Sequence, residues 1–140
     1  MTPRSISVFF YGLFMDAEAL RSNGYHPTNE CQACVSGMTL QLGQRATLVA
    51  AAASSVFGFV MDLSHTEVDR LYAEPSVAAY RPEAVIAELI DGSRIAALCF
   101  NLPQSDEPSI PNPDYASKLR IVAGKLGLPA DYVREMGRQT

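Results

Sequence analysis

The sequence predicts an α+β fold built on a mixed sheet that is strongly curled or closed, and three observations carry the prediction. Apolar runs of strand length outnumber helical segments and follow one another directly, which favours antiparallel pairing. Helical signals appear only after the first strand, in the middle, and at the C-terminal end. The segment from Ala84 to Leu102 is apolar on both faces of two strands (Val85 and Leu89 against Ile86 and Ile90), as in a barrel or beneath helices.

The elements follow in order. Ile6 to Tyr11 is an aromatic, β-branched run that reads as a buried strand. It breaks at Gly12, and Asp16 to Asn23 reads as a helix ended by Gly24. Glu30 to Leu42 alternates as a strand, with Gly37 marking a bulge, and Gly43-Gln44 is a turn. Ala46 to Ala52 and Val56 to Leu63 read as two further strands. Ser64-His65-Thr66-Glu67 fits a capping box, in which hydroxyl and carboxylate satisfy each other's backbone N–H groups. The helix it opens runs to about Ala73 and is closed by Pro75, because the residue before proline is pushed out of the helical region. Ala84 to Ile90 and Ile95 to Leu102 form a hairpin through Asp91-Gly92, a favoured type I′ pair. The proline-rich stretch from Leu102 to Asn112 is a loop. Asp114 is placed to cap a helix over Tyr115 to Leu126, ended by Gly127, and Pro129 suits the first turn of a last short helix to Met136.

At 140 residues, 48% of them apolar, the chain fits a single domain (1–140) with one core. The net charge is −4 and the Lys and Arg residues are scattered, which argues against nucleic acid or an anionic membrane as partner. The apolar region from Leu48 to Val60 is interrupted by Ser54, Ser55 and Gly58, so no membrane span is expected. With no signal-peptide stretch, a soluble cytoplasmic protein is the expectation. Three cysteines are an odd count for a disulfide framework. Cys31 and Cys34 stand at C-x-x-C spacing but lead into a strand rather than a helix start, and His26 and His65 have no paired ligand spacing. The expectation is no metal and no cofactor, with Cys34 and Cys99 as small core residues. A thiol or metal protein using Cys31 and Cys34 is the remaining alternative.

Chemistry is expected at two places. A strand that breaks at glycine leaves backbone N–H groups unpaired at its end, so Tyr11-Gly12-Leu13-Phe14 is a ready site for a carboxylate, a phosphate or a developing oxyanion. Glu74 follows the capped helix and precedes Pro75 and Tyr80-Arg81. A carboxylate held at such a turn against apolar walls gains general-base character. No Ser–His or Cys–His arrangement, phosphate loop or acidic metal cluster is offered, so the expected chemistry needs one acid/base group and backbone amides.

These same residues resemble the γ-glutamylcyclotransferase-like (AIG2-like) superfamily. Tyr11-Gly12-Leu13-Phe14 resembles its Tyr-Gly-Ser/Thr-x motif, and Val56 to Leu63 its apolar strand with a central glycine. Leu71, Glu74, Tyr80 and Arg81 are similar to the stretch in which a catalytic Glu precedes Tyr-Arg and a strand. The resemblance implies a small mixed β-barrel flanked by helices. It also implies release of 5-oxoproline from a γ-glutamyl amine or related amide, by attack of the substrate's α-amine on its own γ-carbonyl. Glu74 would carry the proton. The N–H groups around Gly12, Leu13 and Phe14 would hold the substrate carboxylate, with Tyr11 and Tyr80 as pocket walls. No cofactor is implied, and the oligomeric state is left open. Two positions depart from the pattern: Leu13 lacks the usual hydroxyl, and Pro75 stands where glycine is common. Leu13 leaves a second reading, a non-catalytic protein of the same fold that binds a small carboxylate. Turnover requires Glu74 to face the Gly12 turn across a cavity.

Overall fold

A computed structural model describes residues 4–43, 45–75, 77–103 and 112–137. Among the described residues five strands, β1 (Ser5–Phe10), β2 (Thr28–Leu42), β3 (Ala46–Ser64), β4 (Arg81–Leu89) and β5 (Arg94–Asn101), close a barrel in the order β1-β3-β2-β4-β5. The first strand, β1 (Ser5–Phe10), buries consecutive residues, Val8, Phe9 and Phe10, which point alternately to opposite faces, so both its faces are covered at this end. It pairs antiparallel with β3 (Ala46–Ser64), Ser5 facing Ser64 and Phe10 facing Phe59. On its other side it runs parallel to β5 (Arg94–Asn101), with Val8 opposite Leu98. That one parallel contact makes the sheet mixed and closes it.

Strands β2 (Thr28–Leu42) and β3 form one long antiparallel hairpin. The expected two strands over Ala46 to Leu63 run on as one, but its pairing with β2 is interrupted at Ala51 to Ser54, next to the expected division. Between the Ser36–Ser55 and Met38–Ala50 pairs only Gly37, at φ +84°, stands on β2 against Ala51 to Ser54 on β3, so the irregularity expected at Gly37 is present with its extra residues on β3. The turn predicted at Gly43-Gln44 lies partly outside the described residues, as does most of the proline-rich stretch from Leu102 to Asn112.

Strand β4 (Arg81–Leu89) pairs antiparallel with β5 along its length and touches β2 at Ala33–Leu89 and Cys34–Glu88. The β4–β5 hairpin is real, but its turn is not type I′. Gly92 alone has positive φ, +90°, and its N–H donates to the Leu89 carbonyl at 2.9 Å, as in a three-residue loop closed by a glycine bulge. Asp91 serves the turn by side chain instead, accepting from the Ser93 N–H and hydroxyl. Nor are both faces of β4 buried: Ile86 and Ile90 are 60% and 75% exposed. The helices cover other parts of the barrel, so this face meets solvent.

After β1 comes a short 3-10 turn (Leu13–Met15), then α1 (Ala17–Ser22), whose N-cap Asp16 accepts from the Glu18 N–H at 3.1 Å. The predicted capping box opens α2 (His65–Leu71): the Ser64 hydroxyl accepts from the Glu67 N–H and the Glu67 carboxylate accepts from the Ser64 N–H. The third helix, α3 (Pro113–Lys125), is capped by Asn112 rather than Asp114, with Pro113 in its first turn. Gly127, at φ +81°, ends it before α4 (Ala130–Gly137). The core joins Val8, Val56, Met61, Ala87 and Cys99 from the strands to Leu119, Ala123 and Met136 from the C-terminal helices. Cys99 is a core residue as expected, whereas Cys34 is only half-buried, because its position on β2 points away from the neighbouring Ala33 and Val35. Among the described residues no helix is long and apolar enough to cross a membrane.

Candidate binding pocket at the end of the barrel

The end of the barrel where β1 and β5 finish and β3 begins holds a cavity of about 500 Å³. Phe9, Phe10 and Tyr11 enter it from β1, and Gly12, Leu13 and Phe14 from the turn that follows. Tyr72, Val77 and Tyr80 come from the segment between α2 and β4. Phe100 comes from β5, Tyr115 from α3, and Arg45 and Ala46 from the end of the β2–β3 hairpin. Four of the expected substrate-binding residues, Tyr11, Gly12, Leu13 and Phe14, thus sit together, and Tyr80 joins them from 66 residues or more away in sequence.

The walls are aromatic and mutually braced. Tyr72 stacks on Phe100 with ring centres 3.9 Å apart and planes at 14°. Phe14 meets Tyr72 edge-on at 6.1 Å, and Phe10 meets Phe14 the same way. Such pairs add to simple burial because the ring quadrupoles are complementary. The hydroxyls are anchored: Tyr11 donates to the Phe100 carbonyl at 2.7 Å, and Tyr80 donates to the Ala46 carbonyl. Burial pushes the Tyr11, Tyr72 and Tyr80 hydroxyls above the ordinary tyrosine range, so all three remain neutral at physiological pH.

The Gly12 turn is built differently from the open strand end expected of it. Met15 and Asp16 donate their N–H groups to the Gly12 and Leu13 carbonyls, closing the 3-10 turn. The Tyr115 hydroxyl comes down onto the turn from α3. Burial raises its pKa, and a hydrogen bond with the Leu13 backbone opposes that rise. A Cβ on Gly12 would lie 3.1 Å from this hydroxyl, so glycine here admits the close approach of Tyr115. Its φ of −106° needs no glycine. Tyr115 is one of the site residues that the sequence does not reveal, with Arg45, Tyr72, Val77 and Phe100. Its contact with the turn spans over 100 residues of chain. Lys125 strengthens the same junction, its ammonium 3.3 Å from the Asp16 carboxylate.

Glu74 is not brought into this cavity. It is exposed, and it does not line the pocket. The Val77 N–H donates to the Glu74 carbonyl at 3.0 Å and the Tyr80 N–H to the Val77 carbonyl at 3.1 Å. The chain thereby turns so that Tyr72, Val77 and Tyr80 face inward while Glu74 faces water. An ionised carboxylate turned in among the aromatic walls would lose hydration, a cost that the outward position avoids. The expected juxtaposition of Glu74 and the Gly12 turn is therefore absent. Arg45 is the one charged side chain lining the pocket among the described residues. No group of three or more His, Cys, Asp or Glu suited to a metal occurs among the described residues.

The family model described as gamma-glutamyl cyclotransferase, AIG2-like, matches residues 8–117. No curated protein matches the chain. Among solved structures, one described as gamma-glutamyl cyclotransferase superposes with a TM-score of 0.79 at 20% identity, over 95% of this chain and 86% of its own. The uncharacterized human protein loc79017 gives 0.78 at 22%, over 94% and 86%. A mouse AIG2-like protein gives 0.60 at 12%, over 90% and 85%. At these identities the superpositions establish the shared fold.

Proposed function

We propose, for a chain that belongs to the AIG2-like γ-glutamyl cyclotransferase family, that the pocket takes the γ-glutamyl head of a small amide and releases 5-oxoproline from it. The observation that carries this is the make-up of the cavity. The strand end Tyr11–Phe14 lines it, and so do Tyr72, Val77 and Tyr80, which bracket Glu74 in the chain. In the reaction the substrate's α-amine forms a bond to its own γ-carbonyl carbon while the bond from that carbon to the leaving nitrogen breaks. No enzyme nucleophile is needed. A pocket that folds the amine onto the carbonyl supplies most of the acceleration through proximity. The amides of the Gly12 turn and the Tyr115 hydroxyl would steady the substrate's oxygens, the hydroxyl standing in for the one that Leu13 lacks. Glu74 would take the proton lost by the amine and return it to the leaving nitrogen, which requires the turn at Glu74–Pro75 to rotate inward on binding.

A second reading, capture of a small carboxylate without turnover, is favoured by the exposed position of Glu74 and by Leu13. Incubation with γ-glutamyl amides separates the two. Formation of 5-oxoproline, falling by at least about 100-fold in Glu74→Gln, is the expected result for a proton carrier. Turnover that survives the substitution removes Glu74 from the mechanism. Binding of the amide with no turnover in the unaltered protein leaves the second reading standing.

A further inference from the structure

Among the described residues four tyrosines line the cavity, and three of their hydroxyls have partners in the protein. Tyr11 donates to the Phe100 carbonyl, Tyr80 donates to the Ala46 carbonyl, and Tyr115 is hydrogen-bonded to the Leu13 backbone. The fourth hydroxyl, that of Tyr72, makes no hydrogen bond among the described residues. Its ring is nonetheless held from three directions. Phe100 stacks on it at 3.9 Å, Phe14 from the Gly12 turn meets it edge-on at 6.1 Å, and Tyr80 lies tilted against it at 6.4 Å. A phenylalanine would stack as well, so the hydroxyl adds nothing to the wall. In aromatic surroundings it gains a full hydrogen bond only when something in the cavity accepts one. Burial, with Cys99, Tyr80 and Tyr115 nearby, opposes its ionisation, so it is a neutral donor.

We propose that the Tyr72 hydroxyl is a catalytic hydrogen-bond donor to the γ-carbonyl oxygen of the bound ligand. The proposal rests on the γ-glutamyl reading of the pocket. With the head at the Gly12 turn and the proton carried by Glu74, two residues beyond Tyr72, the reacting carbonyl lies between them and beside the Tyr72 ring. As the α-amine nitrogen bonds to the γ-carbon, the carbonyl π pair moves onto oxygen. The Tyr72 hydroxyl donates to that oxygen and keeps its own proton. The pair returns to carbon as the bond to the leaving nitrogen breaks, and the proton passes from the amine to that nitrogen by way of Glu74. A donor whose ring is already fixed has no reorganisation to undergo as the charge develops, and the stack on Phe100 provides the fixing.

The test is steady-state release of 5-oxoproline from γ-glutamyl anilide by the unaltered protein and by Tyr72→Phe, each followed across pH and checked for folding by urea unfolding. The expected result is a fall in kcat of about 100-fold in Tyr72→Phe, as for loss of one oxyanion donor. KM should stay within about twofold, and the pH–rate profile should keep its shape, because a neutral hydroxyl does not titrate with the reaction. An unchanged kcat overturns the role of Tyr72 while leaving the γ-glutamyl reading intact. A rise in KM at constant kcat overturns it too, because the hydroxyl then serves binding alone. Loss of one limb of the pH profile overturns it by making Tyr72 a proton carrier. Absence of 5-oxoproline with the unaltered protein brings down the γ-glutamyl reading itself, and the role of Tyr72 with it.

Discussion

The two sides of the pocket are made in different ways, and the contrast explains what each can do. One side is the β1–β3 seam. There Phe9 and Phe10 pass over Gly58 so closely that a Cβ on this glycine would run into the Phe10 carbonyl oxygen and come within 3.1 Å of the Phe9 ring. Backbone lies against backbone, and strand pairing on both flanks of β1 fixes it. The other side is the segment from Tyr72 to Tyr80, where α2 has ended and β4 has not begun. It is held by ring stacking on Phe100, by the Tyr80–Ala46 hydrogen bond and by two turn hydrogen bonds. The first side leaves no room for adjustment. The second is attached through side chains and carries Glu74, the carboxylate proposed to move the proton, so adjustment to a ligand is expected on this side.

The largest expected effect comes from breaking the rigid side. Gly58→Ala inserts a methyl group where backbone already stands, and neither neighbour is the free end of a flexible side chain. Overpacking in a core costs about 1–3 kcal/mol, and a clash with a strand carbonyl belongs at or above the top of that range. The variant should lose about 3 kcal/mol in urea unfolding, or fail to accumulate as folded protein. A loss under about 0.5 kcal/mol would show that β1 can shift away from β3 and that the seam is not rigid.

The same contrast accounts for what could be read in the sequence. The rigid side was legible: the aromatic run before Gly12 and the apolar strand around Gly58 are local patterns, and both became barrel strands lining or backing the cavity. The capping box at Ser64–Glu67 was legible because its chemistry lies within four residues. Four features were not. The orientation of Glu74 depends on the balance between aromatic burial and carboxylate hydration in a turn, and no periodicity encodes that balance. Tyr115 reaches the Gly12 turn only through the packing of α3. The side of β4 that meets solvent, with Ile86 and Ile90, looked buried because composition alone does not say where the helices dock. The hairpin at Asp91-Gly92 was found, but its turn type was not, since Gly92 alone takes the left-handed conformation.

Tyr72 tests the adjustable side, and two substitutions there separate the stacked ring from its hydroxyl. Tyr72→Ala removes the ring stacked on Phe100 and opens the cavity. It should cost about 3 kcal/mol or slightly less than the seam variant, since large aromatic-to-alanine changes run near 3–5 kcal/mol when the residue is fully buried and Tyr72 is half-buried. Ligand binding should be lost with it. Tyr72→Phe keeps the stacked ring and should stay within about 1 kcal/mol of the unaltered protein. If Tyr72→Ala leaves binding intact, the segment before β4 is not a wall of the functional pocket.

The smallest expected effect lies where the adjustable segment is tethered to the barrel, at the start of α2. Burial favours the neutral form of the Glu67 carboxylate, but hydrogen bonds from the His26 and Ser64 N–H groups, together with the Ser64 hydroxyl and His26 side chain, outweigh it and lower its pKa from the ordinary 4.5. The His26 N–H donates to it at 2.6 Å, so one carboxylate joins the helix cap to the strand entering β2. A carboxyl pKa lower in the folded than in the unfolded state stabilises the protein fully above the unfolded value, and the contribution is lost as pH falls through the folded one. Stability should therefore be flat through neutrality and decline below about pH 4.5. Glu67→Gln should remove its share of that decline, and Ser64→Ala should cost about 1 kcal/mol at neutral pH through the lost cap. Both are read from urea unfolding at a series of pH values. An unchanged acid slope in Glu67→Gln would mean that α2 is held by Val68 and Leu71 packing alone, and that the tether of the adjustable segment is apolar rather than electrostatic.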